Sequence, residues 1–402
     1  MNSHGKRISA LIVALLVSSL GAQKAQAEDK PTIIRIGYPG VGVGNRPAAS
    51  GNAVATAHLK ALFDDEFKKD NIQIKWTFLR GAGPAVNELF ANGLLDFSHL
   101  GDLPSVIGRA SGLPYRVLGA SGVRGNVYVS VPADSQAQTL KDLKGKRLAV
   151  AKGTSTHLAA LKILESAGLA EKDVKLINMD TTSAQLALTT RDIDAAFGGS
   201  DYLRIRDQGI SRILFTTRGQ DPKLTANGTF IGAQAFLTKY PQITARVVKV
   251  FVQSAQWIAN AQPQQVFQLW TKSGTTFSSF REDWAGEDVK YRNSPLLDPY
   301  VAERYKLQIK EAKRLGLIRD TFTWETWIEP KYLEGALKEL GLENFWQLRG
   351  LDGKPVAPDA KSASAAPSGT APATASAPAT TVAPTAAPLP AQAKAPSAHS
   401  GL

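Results

Sequence analysis

Residues 148–167 read LAVAKGTSTHLAALKILESA. Residues 148–152 form a short, mainly apolar run, the pattern of a buried strand. Lys152-Gly153-Thr154-Ser155-Thr156 follows, a glycine and then small hydroxyl residues, which is the composition of a turn that opens a helix. From Thr154 to Ala167 the apolar residues Leu158, Leu161, Leu164 and Ala167 recur with near-helical spacing. One stretch therefore spells strand, glycine turn and helix.

The same unit repeats outward in both directions. Upstream, 33–38 reads as a strand followed by the glycine-rich 39–45, and a helix is predicted over 53–68 from Ala57, Leu59, Leu62, Phe63 and Phe67. Residues 72–79 alternate Ile72, Ile74, Trp76 and Phe78, a strand period. A helix at 85–91, a strand at 95–100, a helix at 103–110 and strands at 115–120 and 127–131 continue the series. Downstream, 174–178, 184–190, 193–197, 202–208 and 212–216 alternate strand and helix, and 230–237 reads as the last strand. Pro241 then opens a helix with Ile243, Val247, Val250, Phe251, Ser254 and Ile258 on one stripe. Further helices are predicted at 263–271, 298–315, 324–328 and 330–340. Strands alternating with helices imply an α/β fold with mostly parallel sheets covered on both faces. The pattern divides into two halves that meet near 121–126 and 217–227.

The ends differ from this body. Lys6 and Arg7 precede an apolar run at 8–20 and then Ala25-Gln26-Ala27, which predicts a cleaved export signal over 1–27. The run is shorter than the roughly 20 residues of a membrane span. From about 356 the chain is nearly all Ala, Pro, Ser and Thr, so 351–402 is expected to be a disordered tail that buries no core. The chain is 402 residues long and holds no cysteine, which excludes disulfides, Cys-ligated metals, Cys nucleophiles and a lipidated N-terminal Cys. Export without a lipid anchor points to the periplasm. The formal charge of +12 comes from basic residues interspersed with acids, not from a basic block, so no nucleic-acid partner is expected.

Chemistry is expected at the turns beyond the carboxyl ends of the strands. Four are rich in Gly and small hydroxyls: 40–45 with Gly42, Gly44 and Asn45; 100–102 with Gly101 and Asp102; 152–156 with Gly153, Thr154 and Ser155; and 198–201 with Ser200 and Asp201. Glycine admits a close ligand, and free N–H groups at a helix start attract an anion. Two such turns fall in each half, which places a cleft between the halves. His157 lies in the first turn of its helix and could face that cleft. No metal-ligand spacing, dinucleotide fingerprint, P-loop or Gly-x-Ser-x-Gly motif occurs, so neither cofactor nor metal is expected.

An ordered set of segments carries a resemblance. They are Ile34-Arg35-Ile36-Gly37-Tyr38, Leu94-Leu95-Asp96-Phe97, Gly101-Asp102-Leu103-Pro104, residues 142–150, residues 152–158, Ala167-Gly168-Leu169 and Asp192-Ile193-Asp194-Ala195. From about Ile34 to Leu340 the chain resembles the solute-binding proteins of bacterial ABC importers for aliphatic sulfonates, taurine and nitrate. The resemblance implies a two-lobed, type II-like periplasmic binding fold, with lobe 1 at 28–121 and 221–350 and lobe 2 at 122–220. It further implies a monomer that closes on a small anion, most simply an aliphatic sulfonate, and delivers it to a membrane permease. By position, Gly101, Asp102 and Pro104 would form the first wall and Gly153, Thr154, Ser155 and His157 the second. Asp201 and Tyr202 match only part of a Trp-Asp-Pro-Tyr-like segment, which leaves a more polar or bulkier sulfonate, nitrate and a thiamine pyrimidine precursor open as ligands. The alternative is an enzyme on the same scaffold, cofactor-biosynthetic or desulfinase-like. The latter would be expected to use a cysteine, and His157 with Asp102 would be a conceivable His–carboxylate pair here.

Overall fold

Two five-stranded sheets form the framework, each flanked by helices. The computed structural model describes residues 30–47 and 51–356; the expected export signal and almost all of the expected tail lie outside them. The first sheet is built from β1 (Ile33–Pro39), β2 (Gln73–Leu79), β3 (Phe97–Gly101), β4 (Tyr115–Ala120) and a late strand, β10 (Gly228–Ala233), in the order β2-β1-β3-β10-β4. The second contains β5 (Tyr128–Pro132), β6 (Arg147–Val150), β7 (Lys175–Asn178), β8 (Ala195–Gly198) and β9 (Ser211–Thr216), in the order β7-β6-β8-β5-β9. The two orders are topologically alike. In each, the strand that enters from the other sheet, β10 or β5, is inserted antiparallel to both neighbours. The sheets are thus mixed, and four strands of each share one direction.

Helices follow the strands. Lobe 1 carries α1 (Ala53–Leu59), α2 (Leu62–Phe67), α3 (Ala82–Ala91) and α4 (Asp102–Ala110); lobe 2 carries α5 (Ser155–Ser166), α6 (Thr181–Thr190) and α7 (Asp201–Asp207). After β10 come α8 (Gln234–Lys239), α9 (Pro241–Asn260), α10 (Pro263–Trp270), α11 (Phe277–Asp283), α12 (Val289–Arg292), α13 (Pro299–Arg314) and α14 (Lys331–Glu339). Helix α9 buries Val247, Val250, Phe251 and Ile258 in the same apolar cluster as Ile34, Ile36 and Phe63, which explains why its stripe is so regular. None of the helices among the described residues is long and apolar enough to cross a membrane.

Three local expectations are corrected. The single helix predicted over 53–68 is two, because Ala61 takes a left-handed φ of 54°. The break lets α1 bury Ala53–Ala57 while α2 separately turns Phe63 and Phe67 inward. The strand predicted to 237 ends at Ala233, where α8 begins, and 324–328 holds only a 3-10 turn at Trp324–Thr326.

The lobes are joined by two extended segments that pair with each other. Gly125 N–H donates to the Ala226 carbonyl at 2.7 Å and Ala226 N–H to the Gly125 carbonyl at 2.9 Å. Gly228 N–H reaches Gly122 O at 2.8 Å, and Thr217 Oγ1 accepts from Val127 N–H at 2.9 Å. A short two-stranded ribbon is a suitable hinge, since small φ/ψ changes along it rotate one lobe against the other.

Candidate ligand-binding site

A cavity of about 320 Å³ lies between the sheets, with ribbon residues Gly122, Val123, Gly125 and Asn227 in its wall. That is the small end of the usual range for small-molecule sites, roughly 300–1,000 Å³. Helix starts converge on it: Asn52 before α1, Ala82 and Gly83 of α3, Gly101 before α4, Thr154 and Ser155 at α5, and Thr181 of α6. Unpaired N–H groups give each helix start a partial positive charge, so the cavity favours an anion.

Two side chains have polar capacity that the protein itself leaves unused. The Ser155 hydroxyl is buried and has no hydrogen-bond partner among the described residues. The Ser155 and Thr156 N–H groups likewise have no acceptor among the described residues, as expected for the first turn of α5. A Cβ on Gly101 would overlap the Ser155 hydroxyl, so glycine here is what lets the two lobes meet. Opposite, the Arg292 guanidinium is 4% exposed and lies 3.7 Å from the Trp284 ring centroid. Its contacts are long: Nε to Val123 O and Nη1 to Asp283 O at 3.4 Å, and Nη2 to Asp283 Oδ2 at 3.7 Å. Asp283 is meanwhile held by the Tyr128 hydroxyl at 2.8 Å and Asn126 Nδ2 at 3.1 Å. A five-donor cation with only long bonds retains donors for a ligand.

His99 also lines the cavity. Its Nδ1 lies 3.1 Å from Ser121 Oγ, and its ring stacks on Tyr38. Burial pushes its pKa down to about 4, so at neutral pH the imidazole is uncharged. A second cavity of about 210 Å³ adjoins the first, with Pro39, Ala82, Ala151 and Thr181 lining both.

The NMT1/THI5-like family model matches residues 67–266. A Bacillus subtilis (strain 168) protein named as an aliphatic sulfonates-binding protein is 30% identical over 248 residues, covering 61% of this chain and 71% of the relative. The chain belongs to the NMT1/THI5-like family. Among solved structures, the periplasmic sulfonate-binding protein SsuA of Methylobacillus flagellatus KT superposes with a TM-score of 0.67 at 29% identity, covering 81% of this chain and 99% of that one. The two-lobed periplasmic binding fold is therefore that of this protein. The desulfurization enzyme DSZB shares the fold at a TM-score of 0.59 and 18% identity, over 76% of this chain and 99% of that one.

In this NMT1/THI5-like protein the four glycine-rich turns divide between the two cavities. The turns after β3 and β6 bring Gly101, Pro104, Thr154 and Ser155 to the first; the turns after β1 and β8 bring Gly42, Gly44 and Asp201 to the second. Several expected wall residues are elsewhere. Asp102 is 1% exposed and accepts from the N–H groups of Leu103 at 2.7 Å and Asn227 at 2.9 Å and from Gln308 Nε2. It is a bolt between α4, the ribbon and α13. The Thr154 hydroxyl and N–H both turn to the Ala151 carbonyl, at 2.6 and 3.4 Å, so this residue has little left for an anion. His157 is buried beneath its turn, where Nδ1 accepts from Gly153 N–H at 3.3 Å and burial holds its pKa low. Gly153 and Ser200 line neither cavity, and no hydrogen bond joins His157 to Asp102. Tyr202 is fully buried in the lobe 2 core. Asn45 is exposed and accepts from Arg80.

Sequence reading missed Trp284 and Arg292 altogether. Trp284 directly follows α11 and Arg292 ends α12, two helices whose pattern is short and irregular. A lone Arg beyond the alternating region gave no local signal; only tertiary packing brings it to the cavity.

Proposed function

We propose that this chain is the capture component of an ABC importer, an exported monomer that holds a small sulfonate between its lobes and passes it unchanged to a permease. The supporting observation is that unused donors line one cavity between the lobes: the Arg292 fork, the Ser155 hydroxyl and the α5 N–H groups. A sulfonate carries one charge over three oxygens, which suits several directed donors. Residues 28–121 and 221–350 would move as one body against 122–220, turning about the paired ribbon. Binding rather than catalysis is favoured because the chain has no cysteine and because His99, next to Ser121, has no hydrogen-bonded carboxylate behind it among the described residues.

Calorimetric titration with methanesulfonate, ethanesulfonate, taurine and nitrate tests the reading. Ligand at 100 times its dissociation constant should also raise unfolding stability by about 2.7 kcal/mol. Silence from all four compounds in both measurements overturns it. Mass spectrometry of the released ligand separates capture, which returns it intact, from turnover.

A further inference from the structure

We infer that the second cavity is a subsite for the far end of the same ligand, and that this end bears hydroxyl groups. The inference rests on the sulfonate reading above. The two cavities are contiguous through Pro39, Ala82, Ala151 and Thr181, so a molecule anchored at Arg292 and Ser155 can extend from one into the other. Together they exceed what methanesulfonate or taurine would fill.

The lining of the second cavity selects the chemistry. It contains Arg80, Arg204, Gln185, Asp180, Asp201 and Thr182, and its aliphatic side chains are only Val41 and Val43, beside small Ala and Pro. Two cations and two carboxylates balance, so nothing there draws a second net charge. Among the described residues neither guanidinium forms an ion pair within 4 Å, though each acts on a carboxylate of the cavity at longer range, Arg80 on Asp180 and Arg204 on Asp201. Arg204 Nη1 and Nη2 donate only to amide oxygens, of Gln208 at 3.2 Å and Gln185 at 2.8 Å, and its Nε–H is buried without an acceptor. Arg80 donates to Asn45. Asp180 is occupied as the cap of α6, accepting from Thr182 N–H and from the Ser183 N–H and hydroxyl. Asp201 accepts one bond, from Thr275 Oγ1 at 3.0 Å, which leaves its other oxygen open. The Arg204 Nε–H without an acceptor and the open Asp201 oxygen match a hydroxyl, which gives one hydrogen bond and takes another. An alkyl end would instead strand these groups without water, at a cost in affinity.

The glycine turn shapes this cavity too. A Cβ on Gly42 would run into the Ser273 carbonyl, so only glycine lets the loop after β1 lie against that turn and wall the subsite.

The test titrates the full-length protein with three probes: ethanesulfonate, hexane-1-sulfonate and 6-deoxy-6-sulfoglucose. The last two have six carbons each and differ in their hydroxyls. The sugar sulfonate is expected to bind at least tenfold more tightly than hexane-1-sulfonate, and Arg204→Met to cut that ratio below threefold. Arg80→Met gives the same comparison independently if Arg204→Met fails to fold. Equal or tighter binding of hexane-1-sulfonate overturns the inference, as does a ratio that survives in both variants. If ethanesulfonate binds but hydroxyls confer no advantage, this inference alone fails; if none of the three binds, the sulfonate reading fails with it.

Discussion

Ser155→Ala separates a ligand-binding hydroxyl from a structural one, because the two roles move different observables. Among the described residues this buried hydroxyl has no partner, so its removal breaks no internal hydrogen bond. Unfolding stability should stay level or rise by up to about 1 kcal/mol, since an unsatisfied polar group is removed from the interior. Affinity should move the other way. A hydrogen bond to a charged partner contributes about 1.5–3 kcal/mol, which raises Kd for methanesulfonate by roughly 10- to 150-fold. Urea unfolding of the free protein and calorimetric titration of the same preparation give both numbers. Ser183→Ala is the control: its hydroxyl donates to Asp180 at 2.7 Å and lines neither cavity, so methanesulfonate affinity should hold. Wild-type affinity in Ser155→Ala would remove the anion from the start of α5. A stability loss above about 1 kcal/mol would show that the hydroxyl has an internal partner after all.

Arg292→Lys keeps the charge but loses the planar fork stacked on Trp284, so Kd should rise at least tenfold by titration, and Arg292→Met should be worse. Asp102→Ala should cost about 2–4 kcal/mol in urea unfolding, because it strands Asn227 N–H and Gln308 Nε2 in the interior; a near-neutral result would refute its role as a bolt. Acid should weaken the free protein through His99. The folded pKa is about 4 against an unfolded value near 6.5, so the unfolded chain binds the extra proton and stability falls as pH drops from 6.5 towards 4. The slope from this group should be below about 1.4 kcal/mol per pH unit, because the ring faces the cavity. Burial raises the Asp298 carboxyl to about 6, and its contribution runs oppositely below that pH. Comparing His99→Gln with wild type by urea unfolding at pH 7, 5.5 and 4.5 isolates the histidine; identical slopes would refute the assignment.

The periodic parts of the fold were legible and the site only in part. Strand 115–120 is read from sequence with its observed bounds, because Val117 and Leu118 sit inside a run that no helix period fits. The break at Ala61 was not legible: nothing in Leu59–Leu62 forbids a continuous helix, and the left-handed turn exists because both halves must reach one core. The site shows the same division. Gly101 and Ser155 could be placed beside the cavity because a glycine turn and a small hydroxyl at a helix start each have a local signature. Asp102 was misplaced for the same reason. From sequence, a carboxylate at a helix start looks like part of a wall, and only the positions of Asn227 and Gln308, far along the chain, turn it inward.

Arg292 carries the last step of the argument. Without it, helix starts alone would have to hold the anion, and that was the arrangement expected from sequence. The guanidinium supplies a full charge, yet Asp283 stands 3.7 Å away and shares it. A carrier must capture its ligand and also release it. A fully unpaired buried Arg would bind an anion strongly but destabilise the empty protein; a tightly paired one would have little left to offer. The long Arg292–Asp283 contact lies between these limits. Tyr128 and Asn126, which hold Asp283, belong to the lobe 2 end of the hinge, whereas Arg292 follows β10 in lobe 1. Opening the lobes would therefore strain the Asp283 contacts at the same time as it exposes the ligand. The charge balance at the anion is built into the hinge itself, so ligand affinity and lobe closure should change together when Asp283 is altered. Asp283→Asn keeps the Tyr128 hydrogen bond and removes the competing charge. It should tighten methanesulfonate binding several-fold and slow its dissociation in stopped-flow displacement; weaker binding would show that Asp283 supports the Arg292 geometry more than it competes for its charge.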